Sequence, residues 1–75
     1  MGQVNVKPAA QVEQERLDSL KSQVRTERDS LLRASDYMAM PDYPNPPQGL
    51  EVYRQALRDV TDQSGFPESI EWPEL

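Results

Sequence analysis

"DYMAMPDYPNPP", residues 36–47, decides how this chain folds. Pro41, Pro44, Pro46 and Pro47 offer no backbone amide and hold φ near about −65°, so no helix crosses the segment. Its backbone is expected to run extended or in polyproline II form. The residues on either side read as helix, and a connector this short makes two helices antiparallel neighbours. Tyr37, Met38, Met40 and Tyr43 make the segment too apolar for a plain linker. It is expected to pack.

Upstream, the stretch from Pro8 to about Ser35 reads as one helix. Proline suits a first helical position, and the following 27 residues contain neither Gly nor Pro. Leu17, Leu20, Val24 and Leu31 recur at helical spacing and form a narrow apolar stripe. Continuing that heptad register reaches Glu13 and Glu27. Arg25–Asp29 and Asp29–Arg33 are positioned for i,i+4 ion pairs. A helix of this length spans about 42 Å at ~1.5 Å per residue, more than the rest of the chain can cover. Its N-terminal half is therefore expected to project into solvent, to lie on a partner, or to self-associate as a coiled coil through Leu17, Leu20, Val24 and Leu31.

Downstream, Asn45 is placed to cap a second helix, Pro46 to open it and Gln48 to reach back in a capping box. Leu50, Tyr53, Leu57 and Val60 follow at three- and four-residue steps, with Ala56 widening the face. Glu51–Arg54 and Arg58–Asp62 are expected to brace the outside. Gly65 sits where a helix-ending residue belongs, with Pro67 two positions later. The remaining tail, "SGFPESIEWPEL" (residues 64–75), carries the single Phe and single Trp of the chain. Phe66, Ile70 and Trp72 are expected to fold back and close the open side of the hairpin, since burying a large aromatic contributes about 2–3 kcal/mol. The expected fold is all-α: a long N-terminal helix, a Pro-rich connector, a shorter antiparallel helix and an extended aromatic tail.

Composition removes whole classes of function. The chain has 75 residues, enough for one small domain with a thin core. With no Cys and no His, it lacks disulfides, zinc ligand sets and the common nucleophile–base pairs. No catalytic, cofactor-binding or metal-binding residues are expected. Asp59 and Asp62 share a helix face and read as solvated surface rather than a cation site. The net charge is −5, from 13 acidic against 8 basic residues, which gives no footprint for nucleic acid. No apolar run approaches the ~20 residues that cross a bilayer. The opening "MGQVNVKPAA" lacks the basic and apolar regions of a signal peptide, and Val6 stands where a myristoylation motif needs Ser or Thr. The chain is therefore expected in the cytosol where it is made. Val4 and Val6 alternate weakly, as a short strand or an unstructured lead-in would.

"YRQALRD", residues 53–59, places Arg54 and Arg58 one turn apart beside Tyr53 and Leu57. That arrangement suits either a salt-braced amphipathic helix or a recognition face, because Tyr and Arg concentrate binding energy at interfaces.

Taken in order, Arg28, Leu32, "SD" at Ser35–Asp36, "PDYP" at Pro41–Pro44, "YRQALRD" at Tyr53–Asp59, "GFP" at Gly65–Pro67 and "WP" at Trp72–Pro73 resemble the phage tail assembly chaperone family over roughly residues 28–73. Tyr37 stands where that family usually has Trp and Met38 where Thr is common. An aromatic expected before the second helix is replaced by Leu50 or Val52. The resemblance implies a phage or prophage protein that binds a tail or tail-fibre polypeptide and assists its folding, trimerisation or attachment. On that reading residues 1–27 form a lead and projecting helix for oligomerisation or partner contact, and residues 28–75 the chaperone-like hairpin. Partner contact is expected at Tyr37, Tyr53, Arg54, Leu57, Arg58, Phe66, Ile70 and Trp72, in the host bacterial cytoplasm during virion assembly. Two other readings stay open: a permanent virion component at the tail fibre, such as a collar or tip adaptor, and a small acidic regulator of a host protein.

Overall fold

The computed structural model describes residues 8–75, so the expected alternation at Val4 and Val6 lies outside the described residues. Helix α1 spans Ala9–Ser35 and helix α2 spans Leu50–Arg58; each runs into a short 3-10 turn, at Asp36–Ala39 and Val60–Asp62. No strand occurs among the described residues. The all-helical expectation and the length of the first helix match. Pro8 precedes α1 and its carbonyl accepts the Gln11 and Val12 amides at 3.0 and 3.1 Å.

Four apolar side chains form the core. Leu57 and Val60 are fully buried, and Leu50 and Val24 nearly so. Val24 comes from the α1 stripe, Leu50 and Leu57 from α2, and Val60 from the turn after it. Leu17, Leu20 and Leu31 are half-buried. Three of the four stripe positions thus face partial cover from the chain itself and Val24 nearly complete cover. By contrast every residue from Pro8 to Arg16 is exposed.

The second helix starts later than its sequence signals suggest. Asn45 does not cap it: that residue has φ 54°, and α2 opens at Leu50 behind Gly49, whose φ is 84°. No side chain caps this end. The reason lies in the Pro46–Pro47 pair, because a residue preceding proline is driven out of helical geometry. Pro46 therefore cannot serve as a first helical residue. The chain turns through Gly49 instead, with Leu50 N–H donating to Pro47 O at 3.2 Å.

Gly65 also has a different role from the expected one. Helix α2 has already ended at Arg58, where the Asp59 amide is shared between the Gln55 and Ala56 carbonyls and the chain tightens into the 3-10 turn. Gly65 is needed for space. Its carbonyl accepts the Ser69 amide at 2.8 Å, and a Cβ on Gly65 would lie 2.3 Å from the Ser69 carbonyl oxygen. The Phe66–Pro67 peptide within this turn is cis.

The expected ion pairs along the helices are replaced by others. Asp29 pairs with its neighbour Arg28 rather than with Arg25 or Arg33, and Arg25 sits over the Phe66 ring, 6.0 Å from its centre. Arg54 pairs with Asp36 rather than Glu51, and Arg58 donates to Gln55 rather than reaching Asp62. For Arg25 and Arg54 a contact offered by the fold displaces a solvated pair along the helix, which is worth only a few tenths of a kcal/mol; for Asp29 and Arg58 another near neighbour in the chain takes its place.

The start of the tail meets α1 at two places. Phe66 lies by Arg25, and Glu68 reaches Arg16 at 3.1 Å. The Gln63 side chain donates to Glu71 O at 2.8 Å and accepts the Glu71 amide at 2.9 Å. One side-chain amide thus serves the backbone as a paired strand would. Phe66, Ile70 and Trp72 are all half-buried.

Candidate functional site

The most connected polar centre joins the end of α1 to α2. At that end the helix tightens, and the Asp36 amide turns to Arg33 O. In a continuing helix it would bond the Leu32 carbonyl, which therefore needs another donor. Arg54 supplies it across the hairpin: Nη1 donates to Leu32 O at 2.9 Å and to Ser35 Oγ at 2.5 Å. Its Nη2 donates to Asp36 Oδ1 at 2.7 Å. Ser35, which is buried, uses its hydroxyl proton on the Leu31 and Leu32 carbonyls at 3.2 and 3.1 Å. The Arg54 side chain keeps only 13% of its surface exposed. A planar fork with several fixed donors suits this task in a way an ammonium group does not. No buried side-chain polar atom among the described residues lacks a partner.

Arg54 also lines a groove. The connector and the outward face of α2 enclose an open depression of about 930 Å³, lined among others by Met38, Met40, Pro41, Tyr43, Pro46, Pro47 and Val52. Gln55, Arg58 and Glu51 stand along its α2 side. Val52 is 75% exposed and Met40 56%. Tyr43 is held by an edge-to-face contact with the exposed Tyr37, ring centres 5.4 Å apart and planes at 79°. Connector prolines provide no amide here, so a ligand would be held by side chains rather than by strand pairing.

The residues singled out from sequence fall into three places. Tyr37 and Arg58 are exposed, Tyr37 through its Tyr43 contact at the groove and Arg58 at its rim. Arg54 and Leu57 are committed inward. Arg54 lines the groove but spends its donors on the clamp, and Leu57, with no exposed surface, supports α2 from behind. Tyr53 is half-buried, and Phe66, Ile70 and Trp72 belong to the tail. Sequence reasoning missed Met40, Pro41, Tyr43 and Val52 as a joint surface. Their signal was present: an apolar connector, and a valine off the apolar stripe of its helix.

Electrostatics at the far end of the tail are local. Arg16 donates to Glu13 at 2.6 and 3.0 Å as well as to Glu68. Hydrogen bonding from Arg16 holds the Glu13 carboxyl below its ordinary range. The same bonds, from Glu13 first and Glu68 second, push the Arg16 guanidinium still higher than usual. Among the described residues no group of three or more acidic side chains gathers as a metal would require. No helix among the described residues is long and apolar enough to cross a membrane.

The family model for phage tail assembly chaperone protein matches residues 21–75. The chain belongs to that family. No curated protein and no solved structure matches it. The match takes in the last half of α1, the connector, α2 and the tail, so all parts of the clamp and the groove lie inside the phage tail assembly chaperone region. The eight exposed residues from Ala9 to Arg16 lie before it.

Proposed function

We propose that this chain binds a phage tail-fibre polypeptide during virion assembly in the host cytoplasm and keeps it competent to fold, trimerise or attach. Family membership supplies the tail-assembly role; the observation that carries the finer reading is the open apolar groove between the connector and α2. A chain of net charge −5 and thin core that leaves Met40 and Val52 this exposed carries a surface suited to a partner. Methionines adapt to irregular apolar partners, which suits a client whose strand edges are not yet paired. Unpaired edges and apolar faces on a fibre monomer are an aggregation hazard that a bound chaperone suppresses.

Self-association through α1 has less room than the sequence alone offers. Val24 is buried, and Leu17, Leu20 and Leu31 are half-buried. An oligomer contact has the exposed turns from Ala9 to Arg16 and the exposed parts of Leu17, Leu20 and Leu31 to draw on.

Co-expression with the tail-fibre polypeptide of the same phage, followed by size-exclusion chromatography with light scattering, tests the reading. The expected result is a soluble fibre together with either a complex of defined mass or free chaperone. A complex that persists into purified particles at fixed stoichiometry would make the chain a permanent virion component instead. Unchanged fibre solubility with no co-elution overturns both.

A further inference from the structure

We infer that the groove takes a short apolar segment bearing a carboxylate, with the acid seated at Arg58; this rests on the tail-polypeptide reading above and specifies the chemistry of its ligand. The chain as a whole is acidic, yet the groove is lined by two arginines and one glutamate. Arg54 is already engaged by Leu32, Ser35 and Asp36. Arg58 is exposed, and its one bond is a long 3.3 Å donation to the Gln55 amide oxygen. It makes no ion pair among the described residues. A cation left open at the rim of an apolar floor selects an anion beside an apolar anchor.

The two ends of the groove differ in sign, which orients the ligand. Glu51 stands in the first turn of α2, where the helix dipole favours it, and Arg58 in the last. They lie seven positions apart, about 10.5 Å along the axis. The ligand's acidic end therefore lies toward Arg58 and its uncharged or basic end toward Glu51, with the apolar portion on Met38, Met40 and Val52. A segment of like composition carrying Lys in place of the acid meets Arg58 as a repulsive contact and is rejected.

The test is a random peptide library displayed on filamentous phage, selected against the purified chain, with affinities of the enriched synthetic peptides measured by fluorescence anisotropy. Enriched peptides are expected to combine apolar residues with Asp or Glu. Their affinity should fall about tenfold or more in Arg58→Glu and in Val52→Asp, and stay unchanged in Arg33→Glu, which reverses an exposed charge on α1. Both groove positions are exposed, so circular dichroism should show the fold intact. Failure to enrich any peptide, enrichment of peptides without acids, or indifference to Arg58→Glu overturns the inference. A homodimer of the free chain that Arg58→Glu dissociates also overturns it, in favour of a second copy as occupant. If the peptides behave as expected while the fibre polypeptide does not co-elute, the fibre reading fails and the groove chemistry stands.

Discussion

Replacing Arg54 with Ala tests the clamp directly. The substitution removes two hydrogen bonds to part-buried acceptors, Leu32 O and Ser35 Oγ, and one bond to the half-exposed Asp36 carboxylate. Charge-assisted hydrogen bonds contribute about 1.5–3 kcal/mol each, and the exposed ion pair at most about 1. Against this, the truncated side chain recovers rotamer entropy of up to about 2 kcal/mol, and water can reach the vacated carbonyl. The net loss should be about 2 kcal/mol. For a domain of this size each kcal/mol lowers the melting temperature by about 4–8 °C, so a drop of about 8–16 °C is expected by far-ultraviolet circular dichroism. Arg54→Lys should recover less than half of it, because a point charge cannot serve both the α1 carbonyl and Asp36. Asp36→Ala should cost no more than about 1 kcal/mol. A loss below about 0.5 kcal/mol for Arg54→Ala, the level of an ordinary surface change, would refute the clamp as the link between the helices.

Gly65→Ala should destabilise by about 1–3 kcal/mol in a denaturant titration, since its Cβ meets a backbone oxygen that cannot move without breaking the Ser69 bond. Trp72→Ala should lower the melting temperature while leaving fibre binding intact, because Trp72 is half-buried and lies outside the groove lining; an unchanged melt with lost binding would make it a contact residue instead. Glu13 should titrate below the ordinary glutamate range by carboxyl-resolved NMR, and return to it in Arg16→Gln. A carboxyl depressed in the folded state lends stability that is present above its unfolded pKa and disappears as pH falls through the folded one. The Glu13–Arg16 hook should therefore open only in acid. Both partners are exposed there, so the rest of the fold should persist.

The sequence by itself determined the elements and the class. Twenty-seven residues free of Gly and Pro become α1, four prolines keep α-helix out of residues 40–47 although the connector's first four residues, Asp36–Ala39, form a 3-10 turn rather than the expected extended backbone, and the spacing of Leu50, Leu57 and Val60 puts them in the core. These follow from backbone sterics and from one helical period, both of which act between near neighbours in the chain. What tertiary structure alone decided is which polar groups meet. Glu51 and Asp36 compete for Arg54, and nothing in local spacing says that an α1 carbonyl vacated by a 3-10 turn tips the choice. The Asn45 cap failed because the Pro46–Pro47 geometry outweighed a favourable cap residue, and Gly65 was misread because its constraint is an approach from Ser69, not a torsion. The groove belongs to the same category. Met40, Tyr43 and Val52 are legible as apolar residues, but that they line one surface depends on how α2 lies against the connector.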